Sequence, residues 1–334
     1  MEVSLSLLGF GNVGRGFLRT LLEKSRKIRE LYGIEFRVVS ISDSSATVWS
    51  GEGVDLSEAL AVKETFGALS RWGDDYEVYE LSPTEVAREV ESDVFIDVTS
   101  ANPEAYRWQL EALRHGRHVV TSNKPPLVFH YGELTNEAER RGLEYRFEAT
   151  VMAGTPIIAL LRENLMGDEV IGIEGVLNGT TTFILSEMEK GTSFEEALRR
   201  AQELGIAEAN PEGDTKGLDA AYKAAILHNV AFGKFDFSRA MVEGIDSIGP
   251  DGVMEAKRRG KVIRLISTVE KGVVEVKPVE VPVGSPLAVH GTSNVALIKS
   301  DLLGELTLRG AGAGVKETVS GVLSDVIRCA LKTD

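Results

Sequence analysis

The sequence predicts an α/β chain: a doubly wound parallel sheet over residues 1–150, then an α+β part with a mixed sheet. Three observations carry this. Short apolar runs alternate with helical patterns up to Thr150, a glycine-rich turn follows the first run, and longer period-two stretches appear beyond Val262. A second domain is expected over residues 151–312, with a terminal helix at about 313–334 returning to the first domain.

Taken in order, Val3 to Leu8 reads as the first strand. After the glycine turn, Phe17, Leu18, Leu21, Leu22, Ile28 and Leu31 are spaced for one helix face, leaving Arg19, Glu23, Lys27 and Glu30 to solvent. Further strands are expected at Phe36 to Ile41, Tyr76 to Leu81, Val94 to Val98, His118 to Thr121 and Glu144 to Phe147, with helices between most of them. Ser82-Pro-Thr-Glu85 has the pattern of a capping box with proline in the first helical position. Past Thr150 a helix is expected from Pro156, a strand at Glu169 to Leu177, and helices near Thr181 to Glu189, Phe194 to Leu204 and Gly217 to Ala231, with Gly205 as a helix stop. Strands resume from Val262, through Val274 to Val281 and Asn294 to Lys299, and a helix closes the chain from Val315 to about Leu331.

At 334 residues, 43% hydrophobic and 26% charged, the chain is long enough for two domains with full cores. A net charge of -14 opposes a phosphate-backbone footprint, which argues against nucleic acid or an anionic membrane as the main partner. The single cysteine, Cys329, cannot form an internal disulfide and fits a reducing compartment. No apolar run approaches the roughly 18 residues of a membrane span, and the start lacks a basic leader, so a cytoplasmic location is expected.

Gly9-Phe10-Gly11-Asn12-Val13-Gly14 follows a strand and opens a helix, the context of a Rossmann-type dinucleotide fingerprint. Gly9 would allow the tight turn, Gly11 the approach of a pyrophosphate and Gly14 close helix–strand packing. A bare strand-to-helix turn is the competing reading. Asp43, beyond the second strand, is a candidate for an adenosine ribose and favours NAD, whereas Ser44, Ser45 and Arg15 would accept the 2'-phosphate of NADP; the preference stays open. Thr99 and Ser100 end another strand and read either as cofactor contacts or as helix caps. Lys124, fixed by the two prolines that follow it, would leave the sheet toward the nicotinamide end.

In the second half, Glu208, Asp214, Asp219 and Lys223 crowd into sixteen residues, with Asp219 and Lys223 one helical turn apart. A solvated pair beside an acidic loop is the plain reading. Asn178-Gly179-Thr180-Thr-Thr is a polar turn between a strand and a helix.

Six ordered motifs, GFGNVG, TSNK around Lys124, FEATVMAGTP from Phe147, LNGTTTF from Leu177, AEANPEGDTKGLDAAYK and GAGAG from Gly310, resemble homoserine dehydrogenases over essentially the whole chain. Ile206 stands where that family commonly has tyrosine, and Asn210 where aspartate is usual. The resemblance implies reversible oxidation of L-homoserine to L-aspartate 4-semialdehyde with NAD or NADP, in the biosynthesis of threonine, methionine and isoleucine. It implies Lys223 and Lys124 as acid–base groups, Glu208 and Asp219 at substrate positions, and Asp214, Gly179 and Thr180 as further contacts. It also implies a sodium-like cation held by the Glu148 side chain and backbone oxygens of Val151, Ala153 and Thr155, and Gly310, Gly312 and Gly314 beside the nicotinamide. A homodimer formed through the second domain is expected, with no built-in threonine control and no fused kinase.

Removing a hydroxyl proton needs a base that is neutral near the working pH. A free lysine, with a pKa of about 10.4, would have to fall to about 7.5, a cost of about 4 kcal/mol that desolvation or a second cation must supply. Two lysines, one from each half, would supply that cation if they met; alternatively Lys223, facing Asp219, stays charged while Lys124 exchanges the proton. A thiol-dependent dehydrogenase is disfavoured by the place of Cys329. A catalytically inactive NAD(P)-binding sensor is the alternative from another class.

Overall fold

The computed structural model describes residues 1–73 and 76–333. It divides into two compact units, one of Met1–Thr150 with the segment from Val315, the other of Val151–Gly314.

In the first unit, β1 (Glu2–Leu8), β2 (Glu35–Ser42), β3 (Thr47–Trp49), β4 (Val78–Tyr79), β5 (Val94–Asp97), β6 (His118–Thr121) and β7 (Tyr145–Arg146) form one sheet in the order β4-β3-β2-β1-β5-β6-β7. Pairing is parallel from β2 through β7, while β3 runs antiparallel to both neighbours. The helices are α1 (Asn12–Tyr32), α2 (Leu56–Phe66), α3 (Pro83–Glu89), α4 (Ala105–Arg114), α5 (Lys124–Phe129) and α6 (Tyr131–Arg140). The Ser82 hydroxyl and the Glu85 carboxylate close the expected capping box on α3.

Sequence and structure part company at the sheet's edges. The strands expected at residues 76–81 and 144–147 shrink to two residues each because β4 and β7 have one neighbour apiece to pair with. On α1, Phe17, Leu18, Leu21 and Ile28 are buried as the spacing requires, but Leu22 and Leu31 are 44% and 62% exposed.

In the second unit, α7 (Ile157–Ala159) passes into a π-helical turn over Leu160–Asn164, so the helix expected from Pro156 is short. The remaining helices are α8 (Gly179–Met188), α9 (Phe194–Glu203), α10 (Glu212–Thr215), α11 (Leu218–Phe232) and α12 (Pro250–Arg258). Strands β8 (Val170–Val176), β9 (Met241–Val242), β10 (Lys261–Glu270), β11 (Val273–Pro282), β12 (Ser293–Ser300) and β13 (Gly304–Ala311) form a mixed sheet, β13-β12-β8-β10-β11-β9, parallel only between β9 and β11. Val176, Val262, Ile266 and Val295 pack with Leu287 and Val289 into one core. Arg264, sharing the β10 face of Val262 and Ile266, is fully buried and donates to the Glu189 carboxylate and the Val289 carbonyl, tying the end of α8 to the sheet.

The last helix, α13 (Val315–Ala330), contributes Val319, Val322, Val326 and Cys329 to the same core as Phe17 and Leu18 of α1. Gly16 makes the approach possible: a Cβ there would lie 2.8 Å from Val315 Cγ1. Asp325 Oδ2 accepts the Glu148 N–H at 2.7 Å, and burial followed by the nearby Glu148 charge pushes its carboxyl up to about 7. Cys329 is a free, buried thiol. No helix among the described residues is long and apolar enough to cross a membrane.

Candidate active site

Register brings three turns of the first unit to one sheet edge. Leu8 stands opposite Asp97, and Asp97 opposite Thr121, so the chain leaves β1, β5 and β6 side by side. Here the strand order diverges, with β2 on one side of β1 and β5 on the other, which is where open α/β sheets hold ligands.

Gly9 has φ +105°, and a Cβ on it would lie 2.7 Å from the Thr99 nitrogen. A Cβ on Gly14 would lie 2.1 Å from the Gly9 carbonyl oxygen. These two glycines are therefore required by packing alone. Gly11 is different: it caps α1 with no side-chain bond, no acid stands in the first helical turn, and nothing lies within 4 Å of where its Cβ would be. The N–H groups of Asn12, Val13 and Gly14 open a 21-residue helix, and such groups have no partners inside the helix itself. An open cradle of amides at the positive end of a helix dipole fits a pyrophosphate. The Phe10 side chain is 1% exposed and belongs to the core, so that residue shapes the turn from beneath.

Behind the turn, Asp97 is fully buried and organises its neighbours. Its Oδ1 accepts from the Thr99 N–H and hydroxyl, and its Oδ2 from Trp108 Nε1 and Gln109 Nε2. Asn123 then donates to the Thr99 hydroxyl and the Ser100 carbonyl, and its Oδ1 accepts the Asn102 N–H. The Thr99 hydroxyl is thus spent inside this network, while Ser100 is exposed. Asn123 had no role in the sequence reading; its place directly before Lys124, at the end of a strand, was the available signal. Lys124 begins α5, half-buried, with Pro125 and Pro126 behind it.

Asp43 corrects the sequence expectation. Its Oδ1 accepts from Ser45 N, Ser45 Oγ and Ala46 N, and its Oδ2 from the Lys63 ammonium and Leu69 N. Burial raises the carboxyl's pKa, but the hydrogen bonds from Lys63, Ser45 and Leu69 outweigh it and hold the group below its ordinary value. With five donors on two oxygens and a side chain 4% exposed, the carboxylate organises its own loop and is not presented to a ribose. Ser44 next to it is exposed.

The second unit gathers Lys223, Asp219, Asp214, Asn178 and Thr180. Lys223, 7% exposed, donates to the Leu177 carbonyl at 2.7 Å and lies 2.7 Å from Asp219 Oδ2. The Asn178 amide donates to Asp214 Oδ1 at 2.6 Å and Asp219 Oδ2 at 2.9 Å, while its Oδ1 caps α8 through the Thr181 N–H. The Thr180 hydroxyl reaches Asp214 and the Ile206 carbonyl. Burial, then the Asp219 charge, raises the Asp214 carboxyl above its ordinary value, with Asn178 pulling it back. A solvated surface pair does not describe this cluster. Asn178, read in the sequence only as part of a turn, is its hub. Glu208 is exposed and stands outside this hydrogen-bonded group; its backbone carbonyl accepts from Gln202.

Gly179 has no room for a side chain, since a Cβ would lie 2.9 Å from the Thr292 carbonyl oxygen. Gly310 and Gly312 are likewise closed over by the side chains of Thr155 and Asn294. The Glu148 side chain is buried in the first unit. The second unit opens at Val151, and within it Met152 and Ala153 both take left-handed backbone conformations, φ 56° and 53°. Non-glycine residues hold that conformation at a cost of about 1–3 kcal/mol each. Among the described residues no three or more His, Cys, Asp or Glu side chains gather as metal ligands.

Residues 9–148 match the model of the homoserine dehydrogenase NAD-binding domain, and residues 156–327 match that of homoserine dehydrogenase itself. The chain is 43% identical to homoserine dehydrogenase of Pyrococcus horikoshii, covering 99% of this chain and 98% of the relative. It is 42% identical to that of Methanocaldococcus jannaschii, over 97% and 98%. Among solved structures, a hyperthermophilic archaeal homoserine dehydrogenase in complex with NADPH superposes with TM-score 0.89 at 42% identity, covering 100% of this chain and 99% of the other. An NAD(+)-dependent homoserine dehydrogenase of Pseudomonas canavaninivorans is 31% identical over 98% and 96%. Matched in both units and along nearly its entire length, the chain belongs to the homoserine dehydrogenase family of NAD(P)-dependent oxidoreductases.

Proposed function

We propose that the chain interconverts L-homoserine and L-aspartate 4-semialdehyde, with Lys223 as the amine that meets the reacting oxygen. The observation that supports this most is the setting of Lys223: a buried ammonium held by Asp219 and the Leu177 carbonyl, inside a group of polar side chains on α8 and α11. An ammonium has three donors. Two face Asp219 and Leu177, and the third is assigned to the substrate's C4 oxygen. In the reductive direction Lys223 polarises the aldehyde and stabilises charge growing on its oxygen. In the oxidative direction the hydroxyl proton leaves toward an amine, Lys223 or Lys124, the second acid–base candidate. Asp219 keeps the amine aimed. Asp214 and Glu208 are assigned to the substrate ammonium, with Gly179 and Thr180 as neighbouring contacts.

The dinucleotide is assigned to the amides of Gly11, Asn12, Val13 and Gly14, with Gly9 and Phe10, whose N–H groups both donate to the Ser42 carbonyl, shaping the turn beneath it, with Ser44, Thr99 and Ser100 beside them and Gly312 toward the nicotinamide. When bound, the nicotinamide exchanges a hydride with C4 of the substrate. A relative solved in complex with NADPH and another that is NAD(+)-dependent make both forms candidates. A monovalent cation is assigned to the backbone oxygens of Val151, Ala153 and Thr155, with Glu148 as its carboxylate. Assembly as a homodimer is assigned to the second unit, where Met166, Ile171, Leu302 and Leu303 are 80%, 60%, 74% and 58% exposed. A cytoplasmic setting suits a free buried thiol.

The test is NAD(P)H formation from L-homoserine with each dinucleotide, with and without sodium or potassium. Turnover with either dinucleotide is expected; dinucleotide binding without turnover would favour the sensor instead.

A further inference from the structure

Asn294 is fully buried on β12, and neither its Oδ1 nor its Nδ2 has a hydrogen-bond partner. A buried amide left unsatisfied at both ends works against folding. Such a side chain near the start of a strand calls for a use in another state of the molecule.

Its surroundings indicate that use. Asn294 stands opposite Gly310 on β13, and Val295 opposite Val176 on β8, so Asn294 is level with Leu177, whose carbonyl holds the Lys223 ammonium. Its amide lies flat against Gly312: a Cβ there would be 2.1 Å from Oδ1, 2.3 Å from Cγ and 2.5 Å from Nδ2. Gly312 therefore covers the amide without bonding to it, and residues 312–314, between β13 and α13, belong to no strand or helix.

We propose that Asn294 is a positioning residue for the reaction: when dinucleotide and substrate bind, its amide takes hydrogen bonds with the backbone of residues 311–314 and orders that segment beside the strand that anchors Lys223. The unmade bonds of this state become bonds of the loaded state, so part of the binding energy of the ligands goes into ordering the site. This rests on the functional reading above, and wild-type turnover of L-homoserine tests that reading separately.

The experiment compares wild type, Asn294→Ala and Asn294→Thr, the second close to asparagine in volume and suited to a strand. It reads thermal stability without ligands, kcat and KM for L-homoserine, and amide hydrogen exchange of residues 311–314 with and without NADP+ plus L-homoserine. The expected result is an unliganded Tm at or above wild type in at least one variant, kcat/KM at least about tenfold lower, and loss of the ligand-induced protection that wild type shows at 311–314. Kinetic constants within twofold of wild type overturn the proposal. So do protection retained in the variants, or a Tm that falls together with activity in both variants, including failure of both to fold.

Discussion

Lys223 Nζ lies 2.7 Å from Asp219 Oδ2, one turn earlier on α11, and the same carboxylate oxygen accepts from the Asn178 amide. One oxygen thus joins the ammonium to the polar end of α8. Asp219→Asn removes the charge but keeps the shape. It is expected to lower kcat/KM for L-homoserine at least about tenfold with α11 intact, because a charged partner holds an ammonium more strongly than an amide does. Steady-state kinetics beside far-UV circular dichroism checks both halves of that expectation.

Asn178 carries a pH prediction. Its donor pulls the raised Asp214 carboxyl down, so Asn178→Ala sends Asp214 further up and moves the acid limb of kcat/KM to higher pH. Stability follows the same sign: a carboxyl raised on folding favours the fold at low pH and loses that contribution as pH rises through its folded pKa. The variant's deficit should therefore be larger at pH 7 than at pH 4, on top of about 1 kcal/mol for the lost helix cap. Denaturant titrations at the two pH values measure it, and an equal deficit at both would refute the argument.

Gly9 and Gly11 separate packing from binding. Gly9→Ala forces a Cβ against Val98 and Thr99 at φ +105° and should cost about 2 kcal/mol or more. Gly11→Ala has open space and an ordinary extended backbone, φ -85° and ψ -151°. Its Tm should match wild type while its dinucleotide Kd rises about tenfold or more, since the added methyl stands where the pyrophosphate meets the amides. Calorimetric melting and titration with NADP+ distinguish the two variants.

Gly16→Ala sets helix propensity against fit. Alanine gains about 1 kcal/mol within a helix, but here its methyl meets Val315 Cγ1 at 2.8 Å and Val319 Cγ2 at 3.2 Å, and branched side chains on a packed helix give way poorly. A net loss of about 1–2 kcal/mol is expected from chemical denaturation, and a gain would show that α13 shifts freely.

The sequence made the parallel sheet and the glycine turn legible because both depend on local spacing: period two in β1, and three glycines ahead of the apolar face of α1. The short strand β3 and the length of β4 were not legible, since two or three residues carry no period and edge strands take their extent from a neighbour. Where α13 packs depends on Gly16, some 300 residues earlier in the chain, which no pattern within the helix records. Lys223, Asp219 and Asp214 were legible as a cluster from their spacing and the resemblance, but Asn178 as their hub was not, because a strand–helix turn asparagine looks like any other cap. Asp43 misled because its position suits a ribose, whereas the donors that occupy it come from Lys63 and Leu69, in segments that spacing does not place.

The most direct test of the account is the turnover of L-homoserine by Lys223→Met, with dinucleotide affinity measured on the same preparation. A kcat lower by about 100-fold or more with an unchanged Kd for NADP+ is the expected result. A kcat within a few-fold of wild type would contradict the role given to Lys223.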